Sequence, residues 1–156
     1  MANARSSATT DAPSSIIRTG YVLMVTQLIL GVFVVGLFWY NINEYKVLSD
    51  MTPIRLIFLV TPGTFIIGNF CFLCASFITI KSGGIIFRTS LDLIYHTVAF
   101  IAYLAASIAF FVEILTTLWP SNSVYNCYLT SSVIGIVVSG LYFISAFLTF
   151  KFYRHV

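Results

Sequence analysis

Hydrophobic and polar positions divide the chain into four long apolar stretches, about 16–40, 54–80, 91–119 and 126–150, joined by short polar connections. Each is at least as long as the ~20 residues a helix needs to cross the ~30 Å hydrocarbon core of a bilayer, so each predicts a transmembrane helix. The third stretch carries the most ordered pattern. Stepping by three or four from Asp92 gives His96, Ala99, Ala102, Ala106, Ala109 and Glu113, with Ser107 beside the line. Phe100, Leu104, Phe110, Phe111 and Leu115 fall on the other faces. Small side chains at helical spacing let a neighbouring backbone approach closely, which is how helices associate where lipid removes the hydrophobic drive between them. The alanine face is therefore expected to be the packed one, and its mean step near 3.5 residues predicts left-handed packing at a shallow angle.

The other stretches carry their own stripes. The first holds Gly20, Met24, Gln27, Gly31, Val34 and Phe38, and closes on Trp39 and Tyr40, rings that favour the headgroup level. Gln27 is expected to face protein rather than lipid. In the second, Pro62, Asn69 and Ser76 recur every seven residues, and Pro62–Gly63 predicts a packing bend. The fourth holds Ser132, Gly135, Ser139, Tyr142 and Ala146 on one line. The fold class expected is all-α, an integral-membrane four-helix bundle of left-handed packing. Residues 1–15 and 151–156 form flanking tails, the first read as disordered from its Ser, Thr and Ala content. The first apolar stretch is too long for a signal-peptide core and lacks a small-residue cleavage site, so it is expected to stay as an anchor.

Polar side chains inside the spans are the candidate functional residues. A carboxylate facing lipid near the bilayer centre costs roughly 3 kcal/mol or more, so Glu113 must be neutral, paired or near an interface. Arg55, at the head of the second span, lies on the same side of the membrane as Glu113 if the second and third spans are antiparallel neighbours, and a pair between them, direct or through water, is expected. Asp92 and His96 stand one turn apart. A proton or ion relay through Asp92, His96 and Glu113 would have to bridge 21 residues, about 31 Å of helix, with only alanines on that face beyond His96. Local hydrogen bonding by Arg55, Glu113, Asp92, His96, Asn69 and Gln27 that fixes the packing is the favoured reading.

Composition agrees with a membrane domain: 59% of residues are hydrophobic and 8% charged, against about a quarter charged in soluble domains. The apolar stretches leave no length for a second folded domain. The N-terminal flank, the second connection and the tail hold Arg5, Arg18, Lys81, Arg88, Lys151 and Arg154, whereas the first connection and its edge hold Lys46 and Arg55 and the third has none. That bias places both termini on the cytoplasmic side. The +3 net charge carries no nucleic-acid signature. Cys71 and Cys74 form a C-x-x-C within an apolar run, read as buried mid-helix with no basic neighbour to activate a thiol, and Cys127 stands apart; small-hydrophobe packing is expected of them.

An enzyme is not expected. The arginine-rich helix motif of four-span glutathione-using enzymes is absent, as are the loop cysteines of four-span thiol oxidoreductases, a clustered His, Cys and carboxylate set for a metal, and a glycine-rich phosphate loop. No cofactor is implied. Four spans, two short outer connections, a first span ending in Gly36-Leu37-Phe38-Trp39-Tyr40 and a third ending in Leu118-Trp119 resemble the MARVEL-domain family, in particular its short MAL-type and chemokine-like-factor-type members. The likeness covers the chain after its N-terminal tail. The first outer connection lacks the claudin cysteine pair, and no large cysteine-rich loop of tetraspanin type is present. The resemblance implies a non-enzymatic tetraspan in the plasma membrane or a vesicle membrane that organises membrane domains, vesicle sorting or cell-cell junctions by lateral helix packing. Its expected partners are membrane lipids, other membrane proteins and further copies of the chain as a homo-oligomer. The alternative is a small channel or transporter subunit using intramembrane Glu113 with Asn69 and Gln27.

Overall fold

A computed structural model describes residues 14–45, 51–81, 90–117 and 123–153. All of them but Met51 and Thr52 lie in four helices: α1, Ser14–Tyr45; α2, Pro53–Lys81; α3, Ser90–Thr117; and α4, Ser123–Tyr153. Within these, Arg18–Asn43, Pro53–Ala75, Leu91–Thr117 and Val124–Lys151 are long and apolar enough to cross a membrane. Residues 1–13 and 154–156 of the tails, and Lys46, Arg88, Trp119 and Pro120, lie outside the described residues, as do the side chains of Ser76 and Lys81, whereas Ser14, Ser15 and 151–153 belong to α1 and α4.

Local chemistry sets the helix starts. Thr52 precedes α2, and its hydroxyl accepts the backbone N–H of Arg55 at 3.3 Å while its carbonyl accepts that of Leu56 at 3.1 Å. Pro53 then takes the first helical position, where no N–H is needed. Inside the spans, hydroxyls turn back onto their own helix: Thr61 donates to the Ile57 carbonyl and Thr64 to that of Val60. Such bonds satisfy side chains that lipid cannot. The helix continues through Pro62, which has no N–H to offer the Phe58 carbonyl.

Each helix adjoins two others: α3 and α4 share the most extensive contact, α1 packs on α4 and α2, and α2 on α3. Early residues of one helix meet late residues of the next. Across the diagonals, side chains such as Phe38 with Phe110 and Asn69 with Tyr142 reach one another. The stripes of α1 and α4 face inward: Met24, Gln27, Gly31, Val34 and Phe38 on one, and Ser132, Gly135, Ser139, Tyr142 and Ala146 on the other, are all buried.

Three expectations are corrected. On α3 the buried line runs Asp92, His96, Ala99, Tyr103, Ala106, Phe110, Glu113, whereas Ala102 is half-buried and Ala109 exposed. The alanine line took two three-residue steps in succession, which rotates it off the packed face; strict alternation of four and three keeps the phase and brings Tyr103 and Phe110 inward. The packed face therefore alternates small with large side chains. Second, α1 runs past Trp39 and Tyr40 to Tyr45, and Asn41, expected in the connection, is helical and fully buried. Third, Cys71 and Cys74 are not buried but lie on the exposed side of α2, opposite the buried Asn69 and Leu73.

Gly135 of α4 marks a close approach to α3 and α2. A β-carbon there would meet Ser107 of α3 and lie 3.2 Å from Phe58 Cε2 of α2, so the site admits only glycine without a shift of its neighbours.

Candidate functional site

The buried charged, amide and imidazole side chains gather at two levels separated by rings. Near the end where α1 leads into α2, Arg55 Nε lies 3.0 Å from Glu113 Oε1, with both side chains more than nine-tenths buried. The Thr52 hydroxyl donates to the same oxygen at 2.7 Å. Thr52 thus caps α2 and ties it to α3 with one hydroxyl. The Arg55 guanidinium carbon stands 5.7 Å from the centre of the Tyr128 ring, bringing α4 into the cluster.

Directly inward lies an aromatic layer with one ring from each helix. Phe58 stacks on Phe110 at 4.3 Å, and Phe38 lies 6.0, 5.7 and 5.3 Å from Phe58, Phe110 and Tyr128 respectively. All four rings are buried to within about one per cent, and Val34, Ile42, Ala106, Ile114 and Val124 complete the cluster around them. Aromatic pairs in tilted and offset arrangements add roughly 0.5–1.5 kcal/mol each beyond the area they bury.

The second polar level lies toward the other end. Asn69 Nδ2 donates to the Tyr142 hydroxyl at 2.9 Å, and the Tyr95 hydroxyl stands 3.1 Å from both Asn69 Oδ1 and the Phe65 carbonyl. In the α2 ladder the carbonyl of Phe65 also faces the N–H of Asn69, so the phenol shares an acceptor with the helix. Gln27 Nε2 donates to Ser145 Oγ at 2.9 Å, joining α1 to α4. Asp92 Oδ2 accepts the Thr149 hydroxyl at 3.0 Å, and Asp92 Oδ1 lies 3.3 Å from His96 Nε2. Asp92 also sits in the first turn of α3, where the positive end of the helix dipole favours a carboxylate. The rings of Tyr95, His96, Tyr103 and Tyr142 pack around this network, with Tyr103 stacked on Tyr142 at 5.4 Å.

All six residues singled out in the sequence are thus buried, and each contacts another helix or a neighbour on its own. Arg55 joins Glu113 and Asp92 joins His96, but the two pairs do not meet. Between them on the packed line of α3 stand Ala99, Tyr103, Ala106 and Phe110. Thr52, Thr149, Ser145, Tyr95 and Asn41 were not singled out. Thr52-Pro53 before an apolar run is a readable cap signal; Tyr95 and Thr149 sit at positions where the hydrophobic pattern does not distinguish a packing ring or methyl from a hydrogen-bonding partner. Among the described residues no three His, Cys, Asp or Glu side chains converge as a metal site would require.

Comparison with protein-family models, curated proteins and solved structures found no match to this chain.

Proposed function

We propose that the chain is a non-enzymatic tetraspan of MARVEL-like character, a left-handed four-helix bundle with both termini cytoplasmic, that organises membrane domains, vesicle sorting or cell-cell junctions through lateral packing. The observation that carries this reading is the layered interior: polar groups at the two levels bind each other across helices, and a buried layer of Phe38, Phe58, Phe110 and Tyr128 stands between them. Glu113 Oε1 is engaged by Arg55 and Thr52, so the intramembrane carboxylate is tied into the fold. The outward faces are apolar, with Val32, Phe33, Ile57, Val60, Ile101 and Phe147 among the exposed side chains. A protein with so much of its length in the bilayer recognises lipids and other membrane proteins mainly through such faces.

The test has two parts. Purified protein reconstituted into liposomes is expected to pass neither protons nor small ions. A flux abolished by Glu113→Gln would replace this reading with the channel or transporter one. Immunogold labelling of the native protein in its own tissue is expected at cell-cell contacts or on vesicles, and the two locations separate the junction role from the sorting role.

A further inference from the structure

Asn41 is fully buried near the end of α1, and neither its Oδ1 nor its Nδ2 makes a hydrogen bond among the described residues. Glu113 Oε2 is buried without one as well. Ring contacts put the two residues on one level: Asn41 lies one turn beyond Phe38, and Glu113 one turn beyond Phe110, whose ring centre is 5.7 Å from that of Phe38. Arg55 lies one turn before Phe58, the third ring of the layer, 6.0 Å from Phe38. An amide with two donors and an acceptor therefore stands at the level of a carboxylate oxygen that only accepts, with no direct hydrogen bond between them.

Two complementary polar groups held apart in this way are the usual setting of a buried water. The guest's charge also follows. Arg55 already stands against Glu113, so among the described residues the formal charges at this level cancel, and a neutral guest able to accept and donate fits better than a cation or an anion. We propose that this layer binds one water molecule, which accepts a hydrogen bond from Asn41 Nδ2 and donates one to Glu113 Oε2. The bridge brings α1 into the cluster that Thr52, Arg55, Glu113 and Tyr128 build from α2, α3 and α4. The inference is independent of the function proposed above.

The experiment uses the full chain in lipid bilayers with 15N-labelled asparagine and water-edited solid-state NMR. Magnetisation is expected to pass from water to Asn41 Nδ2 at short mixing times and not to Asn69 Nδ2, whose partner is the Tyr142 hydroxyl. The second arm is Asn41→Leu, near-isosteric and apolar. If the amide is satisfied through water, this variant raises the unfolding equilibrium constant about tenfold, because it removes a made bond and strands Glu113 Oε2. If the amide is dry, replacing an unsatisfied polar group by leucine leaves stability unchanged or improves it. Absence of water transfer to Asn41, or an Asn41→Leu variant at least as stable as the parent, overturns the proposal. Should that variant fail to fold, the NMR result on the native chain decides alone.

Discussion

The pair of Arg55 and Glu113 is open to a quantitative test, because both charges sit at the unfavourable end of their own helix. Arg55 is the third residue of α2, where the dipole is positive, and Glu113 lies four residues before Thr117 at the negative end of α3. Neither charge is supported by its helix: Glu113 relies on Arg55 and the Thr52 hydroxyl, and Arg55 has Glu113 and the Tyr128 ring among its neighbours. At 3.0 Å their attraction is about 5.5 kcal/mol for an effective dielectric near 20, most of which offsets the desolvation of two buried ions. Removing one partner leaves the other stranded. Arg55→Met alone and Glu113→Leu alone should each destabilise by roughly 3–5 kcal/mol, or 10²- to 10⁴-fold in the unfolding constant. The double variant, which removes both charges, should lie within about 2 kcal/mol of the parent, with the lost Thr52 bond as its main deficit.

The exchanged pair sharpens the test. Arg55→Glu with Glu113→Arg conserves the summed side-chain length and puts each charge at the helix end that favours it, a change of sign worth about 0.3–1 kcal/mol per charge before and after exchange. It should therefore be as stable as the parent within about 1 kcal/mol, while either single reversal sets like charges against each other. Unfolding equilibria measured by steric trapping in bicelles give all six variants on one scale. Additive single substitutions, or an exchanged pair no better than the single reversals, would refute the argument that the pair is held by mutual compensation.

Three further outcomes follow from the packing. Gly135→Ala places a methyl group against Ser107 and should destabilise by about 1–3 kcal/mol in the same unfolding assay, and Ser107→Ala should restore part of that loss, since the Ser107 hydroxyl makes no hydrogen bond among the described residues. Asn69→Leu removes the acceptor of Tyr95 and the donor to Tyr142, and a loss of about 2–4 kcal/mol is expected, with Tyr142→Phe costing about 1 kcal/mol. Replacing Cys71 and Cys74 together by alanine should alter stability by less than about 0.5 kcal/mol, because both lie on the exposed side of α2; a larger effect in unfolding would show that the C-x-x-C is built into the fold.

What could be read from the sequence divides along physical lines. Helix number and approximate extent were legible, since ~20 apolar residues in succession have one common explanation. Burial of Gln27, Asn69, Asp92, His96 and Glu113 was legible because a polar side chain within a span is expensive wherever it meets lipid. The pairing of Arg55 with Glu113 was legible from antiparallel register alone. The rotation of α3 was not: choosing small residues and choosing a constant phase gave lines that diverge at Ala102, and only the neighbours' shapes decide between Ala102 and Tyr103. Asn41 was misplaced for a related reason, since an Asn after Trp-Tyr reads as the start of a connection, and nothing local says that α1 continues to Tyr45.

The two polar levels also explain how such an apolar chain specifies one arrangement. Between lipid-solvated helices, sliding or rotating one past another exchanges hydrocarbon for hydrocarbon, and the hydrophobic effect barely distinguishes the results. Polar groups make the distinction sharp. A shift of α2 along α3 by one turn, about 5.4 Å, would separate Arg55 from Glu113 and at the same time Asn69 from Tyr95, so two networks far apart along the helix oppose the same motion. Rotation of α4 would in turn withdraw Ser145 from Gln27, Tyr142 from Asn69 and Thr149 from Asp92 together. The aromatic layer and Gly135 fill the space between at a fixed separation. The residues that looked most like a proton path are thus placed to hold register, and the outward faces of the described helices, rich in exposed apolar side chains, are left to face lipid.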